Sequence, residues 1–145
     1  MTSGPSYSLQ LLAAIWTLWQ SLAADGAARL REECGLDLKE FIAAGYLRCR
    51  AYQPAELASD MQMPRYEVSR LLRSLEDKGF VGRTRRSTDG RQVTVQLTPS
   101  GHAAWERGIR TVEDVTEPYL SGLDAAKRED LMLTLAGLVR PHSPS

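Results

Sequence analysis

Between Pro54 and Leu97 the chain runs without a break through a short helical stretch, a Gln62-Met63-Pro64 turn, an arginine-bearing amphipathic stretch ending at Lys78-Gly79-Phe80, and two strand-like runs flanking Ser87 to Gly90. Pro54 suits the first turn of one helix and Pro64 that of the next. Val68, Leu71, Leu72 and Leu75 recur at helical spacing and predict a buried face closed by Phe80, while Arg65, Tyr66, Ser69, Arg70 and Arg73 fall on the opposite side. Gly79 is placed as the helix C-cap. Val93, Val95 and Leu97 alternate with Thr94 and Gln96, the period of a half-buried strand. Asp89-Gly90 is a hairpin signal between Val81 to Arg86 and Gln92 to Leu97. Helix, turn, cationic helix and basic hairpin in that order form a winged helix-turn-helix.

The rest of the chain predicts helices around this unit, giving six helices and one hairpin in a single domain, mainly α with a small β wing. The first runs from about Ser8 to Arg31, bent at Gly26, with Leu9, Leu12, Trp16, Trp19 and Leu22 along one face. Asp37 and Glu40 form a capping-box pattern that starts a second helix to about Cys49, anchored by Phe41, Ile42, Tyr46 and Leu47. Thr98-Pro99 starts the fifth, striped by Trp105, Ile109, Val112, Tyr119 and Leu123 and kinked or interrupted at Pro118. Asp124 caps the sixth, with Leu131, Leu135 and Leu138 on one face. The first six and last five residues read as frayed tails.

Charge is segregated. The 145 residues carry 18 basic and 18 acidic side chains, a net charge of zero. Gln62 to Arg91 holds eight basic and four acidic residues, net +4, leaving ten basic and fourteen acidic residues, net −4, elsewhere. A basic patch on an acidic body suits a protein that docks one face on a polyanion.

Other chemistries find no support. The two cysteines, Cys34 and Cys49, have no CxxC spacing, and with two histidines they build neither a disulfide framework nor a metal cluster. There is no Ser-His-Asp set, no phosphate loop and no pair of catalytic carboxylates, so neither an enzyme nor a cofactor is expected. The apolar run from Tyr7 to Ala24 is preceded by no Lys or Arg and is interrupted by Gln10, Thr17, Gln20 and Ser21. A signal peptide or membrane span is not expected, and a cytoplasmic location is.

A helix bearing Arg65, Tyr66, Ser69 and Arg70 near its start can read base edges in the major groove of duplex DNA, with Arg73 a turn later on phosphate. On the hairpin, Arg83, Arg85 and Arg86 are candidate phosphate contacts, Arg91 a candidate for the minor groove, and Asp89 a structural residue of the turn. Two other readings stay open at this level: the arginines face an acidic protein partner, or Cys34 or Cys49 serves a thiol-based redox switch.

Taken together, Gly35 to Leu38, Pro54-Ala-Glu-Leu-Ala58, Val68 to Val81, Asp89-Gly-Arg91 and Leu97-Thr-Pro-Ser-Gly101 resemble the multiple-antibiotic-resistance regulator (MarR) family. The resemblance implies a homodimer, with residues 8–34 and 99–140 forming its dimerisation helices and residues 36–98 a winged helix-turn-helix lobe. It implies a transcription regulator, usually a repressor, that binds a pseudo-palindromic operator and is released by a small aromatic effector in a crevice between dimer region and lobe. Trp16, Trp19, Tyr46, Arg50, His102 and Trp105 are the candidates for such a crevice. The tryptophans also fit a core or dimer interface, and His102 a helix start.

Overall fold

The computed structural model of the protein describes residue 4, residues 6–85 and residues 92–139. Six helices, α1 (Tyr7–Cys34), α2 (Leu38–Cys49), α3 (Pro54–Met61), α4 (Arg65–Asp77), α5 (Pro99–Leu120) and α6 (Ala125–Leu138), surround an antiparallel pair, β1 (Val81–Arg85) and β2 (Val93–Leu97).

Most helix ends follow local chemistry. Ser6, Asp37, Thr98 and Asp124 each accept a backbone N–H from the first turn of the helix they open. The Asp37–Glu40 capping box forms as the spacing predicts. Gly35 adopts a left-handed φ of 73° and ends α1. At the end of α4, Lys78 is the cap and Gly79, one residue later, takes φ 77°. Phe80 N–H then donates to Leu75 O at 2.9 Å and Gly79 N–H to Glu76 O at 2.9 Å, a Schellman closure that turns the chain into β1. Pro64 precedes α4 as its cap rather than occupying the first turn.

Several expectations need correction. α1 continues to Cys34 through Gly26 as one helix, and Gly26 is buried against Val115 of α5. A Cβ there would stand 3.6 Å from Val115, an ordinary contact. Pro118 does not interrupt α5, because it lies two residues from the helix end and removes only one backbone bond near an exposed terminus. The stripe expected on α5 is not its buried face. Gly101, Ala104, Gly108, Thr111 and Val115 are buried, Trp105, Ile109 and Val112 are only partly so, Tyr119 is exposed and Leu123 lies beyond the helix. The small residues let α5 approach the lobe: a Cβ on Gly108 would stand 2.8 Å from the Phe41 ring, and one on Gly101 2.1 Å from Phe80 O.

The core joins α2, α3, α4 and the base of the ribbon to the C-terminal part of α1 and the N-terminal half of α5. Leu30, Leu36, Leu57, Leu72, Leu75, Val68 and Val95 are its largest fully buried apolar members. Tyr52 adds an isolated β-bridge, in effect a one-residue third strand, that spacing alone did not suggest: its N–H donates to Val95 O at 3.0 Å, and Val95 N–H donates to Tyr52 O at 2.7 Å. The N-terminal half of α1 and nearly all of α6 lie outside this core. Leu9, Leu12, Trp16, Met132, Leu133 and Leu138 are exposed, and α6 buries no residue in the protomer. Among the described residues, no helix is long and apolar enough to cross a membrane.

Candidate nucleic-acid interface

α4 is the most sharply divided helix of the chain. Val68, Leu71, Leu72 and Leu75 are buried, whereas Arg65, Tyr66, Ser69, Arg70 and Arg73 are exposed on the other side, as their spacing predicts. From Arg65 to Arg73 the face spans about 12 Å along the helix axis, the length of three to four base steps. Among the described residues no ion pair occupies Arg65, Arg70, Arg73 or Arg85. Four solvated guanidinium groups are therefore available to a polyanion.

The scaffold fixes this helix from three sides. Ahead of it, Gln62 takes the left-handed region at φ 53° and Met63 N–H donates to Ala58 O at 3.0 Å, which sets the α3–α4 turn. Tyr52 donates its phenol to Asp60 at 3.0 Å and so ties α3 to the third strand. Behind α4, Thr98 donates its hydroxyl to Gly79 O at 2.6 Å and accepts Gly101 N–H at 3.1 Å, joining the end of α4 to the start of α5.

Beneath α4 lies a buried carboxylate. Glu40 is 1% exposed, accepts Lys78 Nζ at 2.6 Å and Ser74 Oγ at 2.9 Å, and caps Asp37 N–H at 3.0 Å. Burial by itself pushes this carboxyl up. The hydrogen bonds from Lys78, Asp37 N–H and Ser74, with the Lys78 charge, outweigh burial and hold the group below its ordinary range. The capping box revealed Glu40 as a helix-start residue but not as the bond between α2 and α4. Its signal was present, since a charged residue followed at once by Phe41-Ile-Ala-Ala must bury its head or turn away.

The ribbon continues the basic surface. Its register pairs Val81 with Leu97, Arg83 with Val95 and Arg85 with Val93, so Arg83 and Arg85 share the face of the buried Val81. Arg85 is exposed, whereas Arg83 donates its Nε–H to the Glu76 carboxylate on α4. Arg86, Asp89 and Arg91, assigned to phosphate, turn and minor groove, lie outside the described residues.

Of the six residues proposed for an effector crevice, Tyr46 and Arg50 both lie against Tyr52, and Trp19 lies in a different cavity. Trp19 lines an apolar cavity of about 140 Å³ between α1 and α5 with Leu22, Leu30, Val112 and Val115. Tyr46 borders a separate open groove on α2 with Ile42, Cys49 and Tyr52. Trp105 stacks on Phe41 at 6.0 Å between centroids, and the Arg48 guanidinium lies 4.3 Å from the Trp105 ring centroid. Arg50 stacks on Tyr52 at 3.6 Å and pairs with Glu56. Trp16 stands exposed on α1, and His102 is exposed in the first turn of α5.

The thiols divide as well. Cys34 is buried, donates to Leu30 O at 3.0 Å, and burial ahead of every other influence pushes its thiol up. Cys49 is exposed at the end of α2. Among the described residues no group of His, Cys, Asp and Glu is arranged to hold a metal ion.

The model of the transcriptional regulator SarA/Rot family matches residues 28–107, more than half of the chain and the whole of the lobe with its junction to α5. The chain belongs to this family. The family is one of transcriptional regulators. The chain is also 31% identical over 85 residues to an uncharacterised HTH-type transcriptional regulator, YdcH, of Bacillus subtilis strain 168. That match takes in 59% of this chain and 56% of YdcH, so it spans little more than half the length of that relative. In fold, the chain is similar to a MarR-family regulator from Rhodococcus sp. RHA1, with a TM-score of 0.83 at 15% identity over 97% of this chain and 100% of that one. It is also similar to MepR of Staphylococcus aureus, crystallised as a complex with DNA, with a TM-score of 0.76 at 20% identity over 94% and 98% of the two chains. These likenesses identify the winged-helix architecture and agree with the MarR resemblance read from the motifs.

Proposed function

We propose that this SarA/Rot-family regulator acts as a homodimer that sets one α4 helix from each subunit into successive major grooves of a pseudo-palindromic operator and lowers transcription there. The observation that carries the reading is the outward face of α4: it holds Arg65, Tyr66, Ser69, Arg70 and Arg73, all exposed, while every large apolar residue of the helix but Tyr66 is turned inward. Arg65, Tyr66, Ser69 and Arg70 lie toward the helix start, where base edges come within reach. Arg73, a turn later, and Arg85 on the ribbon are placed for phosphates. Arg86 and Arg91 extend the same assignment to the outer wing, with Asp89 shaping its turn.

The dimer is supported by what the protomer leaves uncovered. Residues 8–34 and 99–140 remain its proposed dimerisation region and residues 36–98 the DNA-binding lobe. Leu9, Leu12, Trp16 and Trp19 of α1 and Met132, Leu133, Leu135 and Leu138 of α6 are exposed, large apolar side chains that the protomer leaves to water. A two-fold contact would cover both helices and place two recognition helices about 34 Å apart, one turn of DNA.

The test is electrophoretic mobility shift with the duplex upstream of the protein's own gene against a scrambled duplex of equal length, together with light scattering. Preferential retardation of the upstream duplex by a species of twice the protomer mass is the expected result. Equal binding of both duplexes removes the readout, and a monomer that still discriminates removes the dimer.

A further inference from the structure

The arginines of the basic surface are not equivalent. Arg83 is taken by Glu76, while Arg65, Arg70, Arg73 and Arg85 have no ion-pair partner among the described residues. Glu76 lies on the last turn of α4 and Arg83 in the middle of β1, with the Schellman turn at Lys78 to Phe80 between them. Buried Val81, Val95 and Leu97 and the Thr98–Phe80 bond seat the base of the ribbon, and Arg83 stands two residues beyond Val81 on the same strand. The Val95–Tyr52 pairing fixes the far side of the ribbon, and Arg83 stands opposite Val95 in the register. The Glu76–Arg83 pair therefore closes the near side at the same level. A guanidinium whose charge is already matched by a carboxylate releases few counterions when a phosphate approaches.

We infer that Glu76 and Arg83 form a positioning pair that sets the pitch of the wing relative to the recognition helix, and that Arg83 is not one of the phosphate clamps. This rests on the reading of α4 and the ribbon as a DNA-binding surface. It revises the role that sequence position alone gives Arg83. A carboxylate beside a DNA-facing helix is otherwise a liability, and the pair gives Glu76 a reason to stand there.

The experiment compares the parent with Glu76→Gln, Arg83→Gln and the double variant in the full chain. Affinity for the upstream duplex is measured across a salt series, and amide hydrogen exchange is followed without DNA. As a positioning pair, each single change weakens binding about tenfold at an unchanged salt slope, and the double variant is no weaker than either, because both remove one shared interaction. Exchange without DNA speeds up in β1 and β2 while α4 amides hold, and Arg83→Lys recovers part of the loss. If Arg83 clamps phosphate, Arg83→Gln lowers the salt slope by about one unit and Glu76→Gln tightens binding to every duplex, which overturns the inference. Parent-like behaviour of both single variants in binding and exchange overturns it too. Should the parent fail to prefer any duplex, the DNA reading falls, and the exchange data alone still decide whether the pair holds the wing.

Discussion

Lys78, the cap residue of α4, reaches 2.6 Å to a Glu40 carboxylate that is 1% exposed. The two are 38 positions apart and join the start of α2 to the end of α4. Removing the cation strands a buried charge. Lys78→Met should cost about 2 kcal/mol, less than a fully buried pair because the lysine head is partly exposed. Denaturant unfolding at neutral pH reads this directly, and a loss within error would show that water already solvates Glu40.

The same carboxylate gives stability a pH dependence of definite sign. Its folded value is held below the ordinary 4.5, so the unfolded chain takes up a proton first as pH falls. The contribution is complete above about 4.5 and is lost as pH drops through the lower folded value. Parent and Glu40→Gln should therefore differ most near neutrality and converge in acid. Parallel unfolding curves across that range would remove Glu40 from the account.

DNA binding should separate readout from attraction. Arg70→Ala should cost about 1–3 kcal/mol on the preferred duplex and narrow the gap to a scrambled one. Arg85→Ala should weaken both duplexes alike and flatten the salt dependence by about one unit. Fluorescence anisotropy titrations at several salt concentrations distinguish the two; identical profiles for both variants would merge them into one non-specific patch.

Two glycines make a stringent test of the α5 contact. A methyl on Gly101 would fall 2.1 Å from the Phe80 carbonyl, backbone that is itself bonded to Thr98 N–H, so nothing can yield cheaply. Gly101→Ala should lower stability by about 3 kcal/mol. Gly137 of α6 meets nothing within 4 Å, and Gly137→Ala should hold or slightly raise the thermal midpoint, since alanine is the better helix former. Circular dichroism melts of the two variants check both signs.

The sequence makes short-range structure legible and leaves long-range contacts hidden. The Asp37–Glu40 box, the two faces of α4, the Gly79 turn and the Val93–Leu97 alternation depend on neighbours a few positions apart, and all form as expected. The Tyr52–Val95 pairing, the Glu40–Lys78 bond and the Glu76–Arg83 pair depend on where separate elements meet, which no local period encodes. The α5 stripe misled for a related reason. Large apolar residues signal burial in isolation, yet the contact is made by Gly101, Ala104 and Gly108, a small-residue face three to seven positions apart that was visible but carries no hydropathy. The exposed face of α4 was legible because it is the complement of an obvious core; aromatic type, by contrast, says nothing of the direction a side chain takes.

The division of the indoles equips this protein with its own optical gauge. Trp105 contacts both Phe41 and Arg48 at the junction of lobe and α5, whereas Trp16 and Trp19 stand exposed on the N-terminal half of α1. In the proposed dimer, dilution that parts the subunits would redden the emission of the α1 pair and leave the ring at the junction unchanged. Disruption of the lobe would instead release the stacked indole. Assembly and integrity of the lobe thus have separate spectral signatures in the unlabelled chain.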